Sequence, residues 1–124
     1  MLITNNAEIE AEWERCKTTN NYAAFKEFHF SNRGVFNLIE TFADELIARG
    51  KQQWGIANLC ERVRWEVGIN TDSVSEFKMP NNHRAYYARL WLMEHRTHLG
   101  FFNLSEMRSL SRRHNTDDPE RSAP

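Results

Sequence analysis

The stretch Val35-Phe36-Asn37-Leu38-Ile39-Glu40-Thr41-Phe42-Ala43-Asp44-Glu45-Leu46-Ile47-Ala48 decides the fold class, together with the segment on its C-terminal side. Its apolar residues at 35, 36, 38, 39, 42, 43, 46 and 47 recur at the i, i+3, i+4, i+7 spacing of an amphipathic helix. Asn37, Glu40, Thr41, Asp44 and Glu45 occupy the other face. Gly50 stands where a left-handed residue closes a helix, and Arg49 suits the negative end of the helix dipole. After Arg49-Gly50-Lys51-Gln52-Gln53-Trp54-Gly55, a second helix is predicted over 56–67, with Ile56, Leu59, Cys60, Val63 and Val67 facing inward.

Upstream, Ala7 to Lys17 reads as an acidic helix with Glu8, Glu10, Glu12 and Glu14 and Trp13 as its main apolar anchor, although the alternation also suits a strand. Tyr22 to Phe30 reads as a short aromatic helix, and Ser31-Asn32-Arg33-Gly34 as a turn. Downstream, 68–80 reads as a loop that includes a short strand at Phe77-Lys78-Met79. Asn81 is the expected N-cap of a third long helix, about 82–98, burying Tyr86, Tyr87, Leu90 and Trp91. Phe101-Phe102 is the expected partner of the 77–79 strand, and Ser105 to Arg108 the start of a last short helix. The expectation is a mainly α, compact helical domain over 1–110 with a helix-turn-helix or winged-helix-like arrangement. At most a minimal two-stranded β ribbon accompanies it. Residues 111–124 carry almost nothing able to anchor a core and read as a disordered tail.

Composition narrows the classes. A chain of 124 residues makes one domain the default. Two cysteines are too few for a disulfide-stapled scaffold or a four-cysteine zinc site, so Cys16 and Cys60 read as reduced thiols, with Cys60 in a core. Neither a leader with basic and apolar regions nor a stretch of roughly 20 apolar residues is present, and the expected location is cytoplasmic, without membrane contact. The net charge of −1 conceals an uneven distribution. Residues 1–48 carry four basic and eight acidic side chains, a net −4; residues 49–114 carry a net +5; the remainder carries −2. A basic half attracts a polyanion even in a neutral chain. Equally, the acidic first helix could pack on that half and cancel it.

Two amphipathic helices joined by a glycine-containing connection are what a helix-turn-helix needs, though this connection exceeds the roughly 3–4 residues of a compact one. Arg49, Lys51, Gln52 and Gln53 would supply donors to phosphates and bases, with Asn58, Arg62 and Arg64 on or near the outward side of the second helix and Arg84 extending the basic face. Catalytic chemistry has little support. His95 and His98 lie at i, i+3, but His83 is about 18 Å away along the same helix. Glu61 and Glu66 point to different faces, so no acid–base pair forms, and Arg64 or Glu66 is expected to tether a neighbouring helix with Trp65 stacked on it. There is no phosphate loop and no nucleophile elbow. No metal, no cofactor and no enzymatic activity are expected.

The motifs Arg64-Trp65-Glu66, Phe77-Lys78-Met79-Pro80-Asn81-Asn82, Tyr86-Tyr87-Ala88-Arg89 and Gly100-Phe101-Phe102 resemble a group of small uncharacterised bacterial and phage proteins. Their pattern runs R-W-E, F-K-x-x-N-N, Y-Y-A-R, G-F-F, and the resemblance covers about residues 34–110. It implies a mobile-element setting and transfers no catalytic residue. The expected function is a small non-enzymatic nucleic-acid-binding module of winged-helix-like type, with a homodimer as one possible state. The alternative is a phage or prophage factor that docks on a host protein, such as a defence or replication component. Arg89, set among aromatics, reads either as a structural arginine or as a phosphate-facing one.

Overall fold

Asn5 starts the first helix: its backbone is extended and its side chain accepts the Glu8 amide, satisfying one of the unpaired N–H groups of the first turn. The computed structural model describes residues 1–69 and 79–107. These form α1 (Asn6–Cys16), α2 (Tyr22–Ser31), α3 (Arg33–Ala48), α4 (Ile56–Ile69) and α5 (His83–Glu94), followed by one 3-10 turn, Arg96–His98. The protein is mainly helical, with no strand among the described residues, and no described helix is long and apolar enough to cross a membrane.

The expected turn at 31–34 shrinks to Asn32, whose side-chain amide bonds the Phe28 carbonyl between two helices. The third long helix stops at Glu94 because His95 leaves helical geometry (φ −132°, ψ 66°). Its first residue is His83, and the capping position is Asn82, whose side chain accepts no helix amide but meets His83 Nδ1 at 2.9 Å. Asn81 is therefore not the cap. Phe101 and Phe102 form a bend rather than a strand, since both rings are plugs of the core: Trp91 packs 5.3 Å from Phe101 and 5.2 Å from Phe102. Their expected partners Phe77 and Lys78 lie outside the described residues, as do Arg108 and the 111–124 tail. Residues Ser105 to Met107 are not helical.

The core gathers where α4 and α5 meet and where α3, α2 and α1 close over them. Ile39 and Ala43 of α3, Leu59, Cys60 and Val63 of α4, and Tyr86, Tyr87, Trp91 and Leu92 of α5 are all buried, as the 3.6-residue periodicity requires. Phe25 of α2 stacks on Tyr86 at 5.0 Å and meets Tyr87 edge-on at 4.8 Å. Each such side chain contributes about 1.5–3 kcal/mol by leaving water.

The deepest polar joint lies between α1 and α5. Arg89 is 0% exposed, and its guanidinium bonds Glu12 Oε2 (2.7 Å), the Ala85 carbonyl (3.0 Å) and the Ser105 carbonyl. Arg15 grips the same carboxylate at 2.9 Å and reaches the Met107 carbonyl. Burial alone would raise the Glu12 pKa, but the hydrogen bonds and charges of Arg15 and Arg89 hold it below the ordinary carboxylate value. One carboxylate thus ties the first helix, the last helix and the 103–107 segment together. Arg89 is the structural arginine, not a phosphate-facing one.

Candidate nucleic-acid interface

The α3–α4 connector leaves its helix by a left-handed step. Gly50 has φ +88°, its N–H bonds the Ile47 carbonyl, and the Lys51 N–H reaches back to the Leu46 carbonyl. This pair of bonds is the Schellman closure, which satisfies the last carbonyls of α3 and turns the chain outward. Three residues later the Trp54 N–H donates to the Phe101 carbonyl at 2.9 Å, pinning the connector against the segment after α5. Lys51, Gln52 and Gln53 are left exposed between those two anchors.

Facing them is the 3-10 turn. Lys51, Gln52, Gln53, Thr97 and His98 line one shallow groove of about 730 Å³, with Gly50 and Gly100 keeping its rim low. The lining is rich in donors: an ammonium, two amides, a hydroxyl and an imidazole. No carboxylate lines it among the described residues. His98 Nδ1 and Thr97 Oγ1 are 3.0 Å apart.

The seven residues read from the sequence divide. Lys51, Gln52 and Gln53 share the groove, and Arg49 is exposed beside it in the chain. Asn58 is exposed on the first turn of α4. Arg62 is engaged elsewhere: it bonds Glu45 at 2.6 Å and lies over Phe42. Arg84 bonds the Asn81 carbonyl and lines a separate cavity of about 570 Å³ with Asn20, Asn82, Asn103 and Glu106. Of the two side chains expected to tether a neighbouring helix, Arg64 does not, and Arg62, two residues earlier, does. Arg64 instead approaches Glu61 of its own helix at 3.8 Å, and Trp65 is 70% exposed.

Folding matches part of the basic half with the acidic one: Arg89 meets Glu12, Arg96 meets Glu10 at 2.9 Å and Arg62 meets Glu45. Arg15 joins Arg89 on Glu12, and Arg64 meets Glu61 within the basic half itself. The acidic first helix does part of this neutralising, through Glu10 and Glu12. Arg49 and Lys51 make no ion pair among the described residues.

The histidines are dispersed. His95 Nε2 sits 3.0 Å from Glu40 and its ring stacks on Trp91 at 4.3 Å, whereas His83 is 3% exposed between Phe25 and Phe28. No group of three or more metal-ligating side chains occurs among the described residues. Burial pushes the Cys16 thiol up to about 11 and Cys60 up to about 12, so neither is a nucleophile near neutral pH. Sequence reasoning passes over Thr97 and treats His98 as an ordinary helix-end histidine. The turn itself is closed by the Phe101 N–H bond to the His98 carbonyl, which spacing in the sequence does not announce.

Comparison with protein-family models, with curated proteins and with solved structures gave no significant match. The chemistry of this surface therefore carries the functional reading.

Proposed function

We propose that the protein is a non-catalytic nucleic-acid-binding module that grips phosphates with the α3–α4 connector. The observation that carries this reading is selective neutralisation. Arg15, Arg62, Arg64, Arg89 and Arg96 are each matched to a glutamate. Among the described residues Lys26, Arg33, Arg84, Arg49 and Lys51 make no ion pair, but Lys26 and Arg33 lie over aromatic rings and Arg84 bonds a carbonyl, which leaves Arg49 and Lys51 beside a groove of amide, hydroxyl and imidazole donors. Unpaired cations at a capped, exposed corner are the means by which a protein holds a polyanion without reading its sequence.

The test is fluorescence anisotropy with labelled duplex and single-stranded oligonucleotides at low salt. Binding should weaken with salt at a log–log slope of about −2 on duplex if Arg49 and Lys51 each neutralise one phosphate. Arg49→Glu with Lys51→Glu should remove it. Failure of the unaltered protein to bind either form at low salt overturns the proposal.

A second reading, a mobile-element factor that docks on a host protein, is favoured by one observation. Trp65 and Ile69 of α4 are 70% and 58% exposed and line a concavity of about 520 Å³ with Glu61, Arg64 and Gly68. A charge-balanced apolar patch suits a protein surface better than a polyanion. Under this reading Trp65→Ser abolishes capture of a stoichiometric partner, while Arg49→Glu and Lys51→Glu leave it intact.

A further inference from the structure

We infer that Thr97 and His98 complete a phosphate-oxyanion subsite with Lys51. This rests on the nucleic-acid reading and deepens it, naming the group bound and two residues that the connector itself does not contain.

The groove joins two segments nearly fifty residues apart in the chain, held opposite each other by the Trp54 N–H bond to the Phe101 carbonyl. Lys51 contributes a point charge from one wall. Thr97 and His98 contribute a hydroxyl and an imidazole from the other. The exposed imidazole meets the Thr97 hydroxyl on one edge and lies 6.3 Å from the Trp91 ring. When both ring nitrogens are protonated, Nδ1–H donates to the Thr97 oxygen. The hydroxyl proton is then released for an oxyanion, and Nε2–H is a second, charge-assisted donor.

Nothing acidic competes for that charge among the groove residues. From the connector the titratable group facing His98 is Lys51, and α3 presents the apolar Ile47 to the groove. The neighbouring cation of the turn, Arg96, is turned to Glu10 and to the Met93 carbonyl. His95 faces Glu40. A tetrahedral oxyanion is the ligand that these donors match, whereas a carbonyl or an amide would leave most of them unused.

The phosphate could belong to a nucleic-acid backbone or be free, and two measurements on the full chain separate these. Anisotropy with a labelled oligonucleotide is read at pH 7.5 and pH 6.0 for the unaltered protein, Lys51→Gln, Thr97→Val and His98→Gln, with circular dichroism as the check on folding. In parallel, the imidazole proton–nitrogen NMR correlations are followed during titration with inorganic phosphate. The expected result is that Lys51→Gln weakens oligonucleotide binding about three- to fivefold, the loss of one exposed ion pair. Thr97→Val and His98→Gln should each weaken binding as well, since each removes one donor to the oxyanion. If the oligonucleotide binds all four proteins alike at both pH values, the subsite is overturned and the nucleic-acid reading stands. If no oligonucleotide binds but phosphate shifts the His98 correlations, the subsite stands as a free-phosphate site and that reading falls. If neither ligand has an effect, both fall.

Discussion

Arg62 carries its guanidinium 3.9 Å from the centre of the Phe42 ring while bonding Glu45 Oε1 at 2.6 Å. The side chain therefore clips α4 to one turn of α3, meeting a ring and a carboxylate at once. Both charged partners are partly exposed, which limits their worth. Arg62→Ala is expected to destabilise the fold by about 1 kcal/mol, measured by urea denaturation, and to leave oligonucleotide affinity unchanged. A large loss of affinity would return Arg62 to the binding surface.

The Glu12–Arg89 joint should behave differently. Arg89→Met leaves a carboxylate half-matched in a buried setting, and a loss of about 3–5 kcal/mol is expected, against a much smaller loss when Glu12→Leu is combined with it. Chemical denaturation of the two single variants and the double variant measures the difference. The pH dependence has a definite sign. The folded-state pKa of Glu12 lies below the unfolded value near 4.5, so its contribution is full above that pH and is lost as the pH falls through the folded value.

His83 predicts a second, milder acid sensitivity. Burial between Phe25 and Phe28 lowers its pKa, so the folded state keeps it neutral while the unfolded state charges it near 6.5. Stability is full above that value and declines as the pH falls below it towards the depressed folded pKa. His29, also lowered by burial and by Arg33, adds to the same slope. Thermal melts between pH 7.5 and 5.5 should show a falling midpoint, and His83→Phe, which keeps the edge-on ring contacts, should flatten it.

Two glycines should respond with opposite signs. Gly50 has nothing near its missing Cβ, so Gly50→Ala is opposed by its left-handed backbone alone and costs about 1–2 kcal/mol. Gly34 lies in the first turn of α3 with equally open space, and Gly34→Ala should stabilise by about 0.5–1 kcal/mol. Calorimetric midpoints of the two variants check the pair, and Gly50→Asn should fall between Gly50→Ala and the unaltered protein.

Helix positions are legible because they arise from local periodicity: 35–48 and 56–67 reappear as α3 and α4, and Gly50 as the left-handed closure. The helix break at His95 is not legible. It arises from the stacking of His95 on Trp91 and its bond to Glu40, contacts that reach another helix. The Glu12 joint leaves only a trace. Ile9, Glu12, Trp13 and Cys16 share the i, i+3, i+4, i+7 face, so Glu12 is turned inward by its neighbours' spacing. What spacing does not say is which cation waits inside, since Arg89 is 77 residues away. The same limit explains the exchange of Arg64 for Arg62, since the position of Glu45 relative to α4 is a matter of packing. In the candidate site the connector residues are readable, whereas Thr97 and His98 join them only through the Trp54–Phe101 bond.

The joint between α1 and α5 also bears on how the chain is made. At about 5–20 residues per second, Arg89 is polymerised about 4–15 s after Glu12, the residue it holds. During that interval Ile9 and Cys16 have no seat, and the glutamates of α1 remain in water, where their mutual repulsion keeps the young segment from associating with its neighbours. Of the five described helices, α1 is thus made before the helix that seats it, and its acidic character suits it to that interval in water.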